Sequence, residues 1–175
     1  MILSQNEVLL NSLTNYYMNN KKHYETFKSI INKESMISLR ILDYFVTTYA
    51  KQRKTIIPET RYAIHQEYKN QLKGYNKTKF DPFSRTYKND NSKKFIFEHP
   101  DGNVETTIGQ LNFFRWALSH GIIEYLERHY HDVSPLLSRS TKKVTSKKKN
   151  QDSLYLEARQ TNDDGKDTIV VSGLI

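Results

Sequence analysis

Apolar residues recur three and four positions apart through the first half of the chain, the spacing of one helix face. Over 5–33 the pattern is carried by Leu9, Leu13, Tyr16, Tyr17, Tyr24, Phe27 and Ile31. The polar stretch Asn19 to Lys22 interrupts it, so one long helix or two shorter ones both fit. Ser35 offers a cap for a second helical run to about Gln52, with Ile37, Ile41, Leu42, Phe45 and Tyr49 as its apolar positions. After the β-branched run Thr55 to Ile57, Pro58 suits the first turn of a third helix. Gly74, following Lys73, is its expected stop.

The periodicity then changes. Between 75 and 92, Tyr75, Phe80, Phe83 and Tyr87 alternate with Lys77, Lys79, Arg85 and Lys88, and Asp81-Pro82 argues for an extended segment or ordered loop. Lys94 to Glu98 and Val104 to Thr106 flank Pro100-Asp101-Gly102-Asn103, the signal of a β-hairpin. Thr107-Ile108-Gly109-Gln110 follows at once as a capping box, in which the Thr107 hydroxyl takes a backbone amide and Gln110 reaches back to the cap. The helix so started carries Leu111, Phe114, Trp116 and Leu118 and stops at His120-Gly121. A further short helix runs from Ile122 to His131 and closes at Ser134-Pro135. The expected fold is α+β: one predominantly helical domain over 1–135, with a hairpin at about 94–106 leading into a capped helix. Residues 136–168 read as a flexible tail, basic and then acidic, and 169–175 as a candidate docking strand.

Charge sharpens this outline. The net charge of +8 gathers in two places. Residues 61–94 hold nine Lys or Arg against three acids, and 134–150 hold six cations and no acid. Such clustering marks a polyanion partner more than a solubilised surface. Cysteine is absent, which excludes disulfides, thiolate zinc sites and a cysteine nucleophile. Met1 to Leu10, with Asn6 and Glu7 inside its apolar stretch, reads as a helix start and not as a signal peptide. No run of about 18 apolar residues exists, so no transmembrane helix and no membrane partner are expected.

Lys and Arg neutralise phosphates, and aromatic rings stack on unpaired bases. The body's candidate contacts are therefore Lys69, Lys73, Lys77, Lys79, Arg85, Lys88, Lys93 and Lys94. Arg139, Lys142, Lys143, Lys147, Lys148 and Lys149 form a mobile clamp in the tail. Phe80, Phe83, Phe95 and Phe97, at alternate positions, suit a core better than a stacking surface. Trp116 likewise reads as core. Catalysis finds no support. His129 and His131 sit two apart, on different sides of a helix, and cannot share an ion there. Glu67 and Lys69 form an acid-x-Lys pair without an upstream Asp, and Asp101 belongs to a turn. The glycines stand singly, so no phosphate-cradling loop exists and no cofactor is implied. The expectation is a non-enzymatic, largely sequence-independent nucleic-acid-binding protein, DNA ahead of RNA. The alternative is a structural or assembly protein that acts through protein-protein contacts.

The chain also resembles an uncharacterised family of nucleocytoplasmic large DNA viruses, the giant viruses. Tyr68-Lys69-Asn70-Gln71-Leu72-Lys73, Phe80-Asp81-Pro82-Phe83-Ser84-Arg85 and Thr106-Thr107-Ile108-Gly109-Gln110-Leu111-Asn112-Phe113-Phe114-Arg115-Trp116-Ala117 carry the resemblance. Tyr44-Phe45-Val46-Thr47 and Ile169-Val170-Val171 are similar more weakly. Where this chain has Ser84 the family more often has Cys, which argues against a metal or redox role there. The resemblance implies a viral protein of the host cytoplasm (the viral factory) or nucleus, with the virion as a further location, so that the alternative becomes a virion structural or assembly protein that grips other viral proteins. It implies no activity.

Overall fold

A computed structural model describes residues 4–86 and 93–139. The contacts divide the chain into two units, Met1–Pro135 and Leu136–Ile175. The first is α+β and mostly helical. Its elements are α1 (Gln5–Asn19), α2 (Lys21–Ile31), α3 (Leu39–Tyr44), a π-helical turn (Phe45–Tyr49) and α4 (Ala50–Arg53). There follow β1 (Ile56–Ile57), β2 (Tyr62–Ala63), α5 (Ile64–Tyr75), β3 (Phe95–Phe97), β4 (Val104–Thr106), α6 (Ile108–Ser119) and α7 (Ile122–Arg128). Residues 130–135 are helical at the end of this unit, and so are 136–139, the described part of the second.

Several boundaries differ from those expected, each for a local reason. Asn20 parts α1 from α2 at φ −129°, ψ 69°, so two helices form. Ser38, not Ser35, caps α3 by accepting from the Ile41 amide at 3.3 Å. Ser35 instead accepts from Ile37 N in a turn. Pro58 starts no helix. It lies in the turn of a small antiparallel hairpin that pairs Ile56 with Ala63 and Ile57 with Tyr62, a place where a missing N–H costs no ladder bond. Gly74 stays inside α5, and Asn76 makes the turn at φ +57°. Its side chain accepts from Thr78 N at 2.9 Å, the local bond that lets asparagine take a glycine's place. Helical geometry breaks at His129 (φ −110°, ψ 17°) and resumes at 130, so Ser134-Pro135 does not close α7.

The second hairpin forms as expected: Phe95 pairs with Thr106, Ile96 with Glu105 and Phe97 with Val104. Gly102 turns it at φ +107°. Lys28 Nζ donates to the Asp101 carbonyl at 2.6 Å, and Lys21 meets the Asp101 carboxylate at 2.7 Å. Tyr24 donates to the Gly102 carbonyl and stacks on His99 with centroids 3.6 Å apart. The hairpin is thus clamped to α2 at its tip.

The core forms around α6, nine of whose twelve residues are buried, so apolar partners must surround it on nearly every side. Phe114 meets Phe27 of α2 at 5.0 Å, and Phe27 meets Tyr17 of α1 at 5.5 Å. Phe113 meets Phe80 at 5.2 Å, and Trp116 lies 6.1 Å from Tyr68 of α5. The indole of Trp116 donates to Tyr62 Oη at 2.7 Å. Phe80 and Phe97 are core, as their alternate positions suggested, and so is Trp116, while Phe83 and Phe95 are only half-buried.

Burying α6 all round also buries polar side chains, which must find partners. Thr107 caps the helix by accepting from Gln110 N at 3.2 Å. The reciprocal half of the box is missing, because the Gln110 side chain is used elsewhere. Its Nε2 donates to the Pro82 carbonyl at 2.8 Å, and its Oε1 accepts from Thr106 Oγ1 at 2.8 Å. Asn112 Nδ2 donates to the Lys79 carbonyl at 2.9 Å, and Asp81 N donates to the Gly109 carbonyl at 3.2 Å. Gly109 permits this approach, since a Cβ there would stand 2.7 Å from the Thr78 carbonyl oxygen. Segment 78–83 is fastened backbone-first along α6.

Two substitutions separate the cap from the fastening. Thr107→Ala is expected to cost about 1 kcal/mol in a denaturant titration. Gln110→Ala strips the Pro82 carbonyl of its amide donor and leaves the buried Thr106 hydroxyl only the Thr107 carbonyl at 3.4 Å, and is expected to cost roughly 2–4 kcal/mol. Equal losses would mean that Gln110 serves only the helix end.

Candidate nucleic-acid interface

α5 carries the clearest basic stripe. Gln66, Lys69, Asn70 and Lys73 are all exposed and fall within about a third of the helix circumference at 3.6 residues per turn. Lys77 continues outward in the turn beyond Asn76, also exposed. Lys79 is half-buried, its carbonyl held by Asn112. Lys93 and Lys94 are exposed just before β3. They stand on a different support, because β3 packs through Phe97 on Tyr17 and Tyr24 of α1 and α2. Arg139 is exposed in the second unit. Lys88, Lys142, Lys143, Lys147, Lys148 and Lys149, and the expected strand at 169–175, lie outside the described residues.

The cations divide into bound and free. Arg85 reaches back to the buried Asp81 at 3.4 Å and lies 4.5 Å over the Phe83 ring. Its charge is therefore half spent, and Phe83 is covered. Lys94 meets Glu105 across the hairpin at 3.8 Å. Glu67 accepts from Asn70 at 3.3 Å. Among the described residues, Lys69, Lys73, Lys77 and Lys93 form no ion pair. Asp81, Glu105 and Glu67 thus have partners of their own, while these lysines face water.

Other candidates take structural places. His129 donates through Nδ1 to the Tyr125 carbonyl at 2.8 Å and stacks on that ring at 4.1 Å. Arg115 donates to Asn112 Oδ1 at 2.8 Å and Ser12 Oγ at 2.9 Å, tying α6 to α1. Among the described residues no group of three His, Asp or Glu is placed to hold a metal ion. No helix there is long and apolar enough to cross a membrane. Sequence reasoning passed over Lys51, Lys54, Thr55, His65 and Gln66, which surround a cavity at the head of the α5 stripe. Their proximity comes from the β1–β2 hairpin, whose turn holds non-glycine Arg61 at φ +53° and carries no glycine to announce it.

The chain matches, over residues 2–174, a family described as a family of unknown function (DUF7197), and it belongs to that family. It is 37% identical over 182 residues to "Uncharacterized protein L507" of Acanthamoeba polyphaga mimivirus, covering 95% of this chain and 68% of that protein. The resemblance to a giant-virus family is borne out, and a viral origin is supported. No solved structure matches.

Close to the Asp81–Arg85 pair, Asp43 on α3 is a titratable group with a definite sign. Burial raises its carboxyl above the ordinary 3.8, Arg85 opposes the rise and Asp81 adds to it. A raised carboxyl binds its proton more tightly in the fold than in the unfolded chain. Ionising it therefore costs stability as pH climbs from about 3.8 through the folded pKa, and the penalty is complete above that. Asp43→Asn is expected to leave Tm unchanged at about pH 3 and to raise it at neutral pH. A gap that does not widen with pH, or a lower Tm at neutral pH, contradicts this reading.

Proposed function

We propose that the protein binds nucleic acid without catalysis and largely without regard to sequence. One observation carries the reading: among the described residues Lys69, Lys73 and Lys77 face solvent along α5 and its following turn without an ion pair, while Asp81 is paired with Arg85 and Glu67 accepts from Asn70. A row of lysines kept free of acids suits a phosphate backbone, whose condensed counterions the lysines displace. Such contacts position a strand and carry no base information. The buried Phe80 and Phe97 and the covered Phe83 take no part in stacking. The basic run beyond Arg139 adds a second, separable set of cations in the same reading.

A second reading, assembly through protein contacts, draws on a different surface. Val8 is 53% exposed on α1. With Leu9, Gln5, Ser12, Tyr75 and Arg115 it lines an open cavity of about 380 Å³. An apolar side chain so placed suits a protein partner.

Salt dependence distinguishes the two. For labelled duplex DNA followed by fluorescence anisotropy, log affinity is expected to fall linearly with log salt, at about 0.9 per phosphate neutralised. The triple variant Lys69→Gln, Lys73→Gln, Lys77→Gln is expected to reduce the slope by roughly 2–3 units. Removing 138–150 reduces it independently. Both changes are expected to weaken all sequences alike. Absence of binding at ~50 mM salt, or binding indifferent to salt, would overturn the reading and leave the assembly reading in place.

A further inference from the structure

The run Lys94-Phe95-Ile96-Phe97-Glu98 reads the same in both directions except at its ends, where a base answers an acid. β3 forms its centre. The sheet has two strands, so among the described residues β3 has β4 along one side and an open edge along the other.

The hairpin's hydrogen bonds determine what that edge displays. Across the turn, Gly102 N donates to the His99 carbonyl at 2.9 Å. Opposed residues of an antiparallel ladder alternate between pairs that exchange hydrogen bonds and pairs that do not. Counting back from His99 and Gly102, Phe97 with Val104 and Phe95 with Thr106 fall on bonded pairs, and Ile96 with Glu105 falls on an unbonded one. The N–H and C=O of Ile96 therefore point away from β4, and those of Lys94 and Glu98 point the same way. None of the three makes a backbone hydrogen bond outside the hairpin among the described residues.

The side chains show that β3 is peripheral. Phe95 faces inward with Phe97 but is only half-buried, whereas Val104 and Thr106 opposite are both buried. On the outer face Lys94, Ile96 and Glu98 are all exposed, Ile96 at 55%. Lys94 meets Glu105 at 3.8 Å, but both side chains are largely in water and such a pair holds weakly. Glu98 forms no ion pair among the described residues. Charge on a short edge normally repels a second strand. A strand that presents an acid opposite Lys94 and a base opposite Glu98 is the exception.

We propose that β3 pairs antiparallel, edge to edge, with β3 of a second copy of this chain, about a twofold axis at Ile96. Ile96 then exchanges backbone hydrogen bonds with the partner's Ile96. Lys94 lies opposite the partner's Glu98, and Glu98 opposite the partner's Lys94. Phe95 lies beside the partner's Phe97, which covers the ring that its own core leaves half bare. A shift of register in either direction loses both ion pairs, so the match selects one alignment. The occupant is a second copy because the same short run supplies both halves of the match. Such a pairing is isologous and closes at two copies. It uses no residue of α5 and stands apart from the nucleic-acid reading.

The interface is small, below about 1,200 Å², and its association is correspondingly weak. Sedimentation velocity of the full chain, freed of nucleic acid, is expected to show a monomer–dimer equilibrium at up to about 1 mM protein. Glu98→Lys and Lys94→Glu each set like charges opposite one another at both ends of the paired strands. Each is expected to weaken dimerisation roughly tenfold or more. Both positions are exposed, so Tm is expected to hold. Mixed in equal amounts, the two variants meet with opposite charges at both ends again, and the mixture is expected to recover the association that each has lost. A chain that stays monomeric to about 1 mM overturns the inference and leaves the edge to a strand of another protein. Dimerisation that neither substitution weakens also overturns it and places the contact elsewhere on the chain. So does a mixture that fails to associate while both variants keep the parent Tm.

Discussion

The attachment of segment 78–83 to α6 is the constraint on which the α5 side of the protein depends. α6 is buried on almost every side, so its polar side chains cannot turn to water. Gln110 and Asn112 use their amide hydrogens on the carbonyls of Pro82 and Lys79, and the Gly109 carbonyl takes the Asp81 amide. Gly109 has no side chain because the Thr78 carbonyl occupies that space. Two sequence motifs far apart in the chain therefore describe one contact. Thr107 to Ala117 supplies the receiving helix, and Phe80 to Arg85 supplies the segment received. Neither has a reason for its residues without the other.

That contact also decides which charges remain available. With Phe80 locked among Phe113, Trp116 and Tyr68, Asp81 is drawn inward and Arg85 folds back to neutralise it over Phe83. A surface arginine pair is worth little, but this one covers a buried carboxylate and breaking it is costly. Arg85 is thereby committed to the fold. Among the described residues the exposed lysines on α5 form no ion pair, and that is what supports a phosphate-binding role. Segment and stripe are coupled through Tyr68 and Trp116, which bind α5 to the same face of α6.

Much of this was legible in the sequence because the signals were local. The hairpin at Phe95 to Thr106, the Thr107 cap and the His120-Gly121 stop each follow from a few neighbouring residues. Boundaries set by side chains acting over distance were not. Gln110 fits a reciprocal capping box by spacing, yet its amide serves a carbonyl 28 residues away. Asn76 turned the chain where Gly74 was expected, because its own side chain closes the turn. The β1–β2 hairpin was hidden by a turn at Pro58 to Arg61 with no glycine, and with it the cavity around Thr55. The candidate cations were readable as a cluster. Their division into engaged and free required the positions of Asp81 and Glu105.

Native-state hydrogen exchange at the Asp81 amide tests the central contact most directly. If segment 78–83 is fastened to α6, that amide opens only with the core, and its protection equals that of Leu111 inside the helix, whose amide donates to Thr107 O. Exchange at Asp81 that is far faster than at Leu111, at the rate of an exposed loop, would show a segment lying loosely on the helix and would contradict the account.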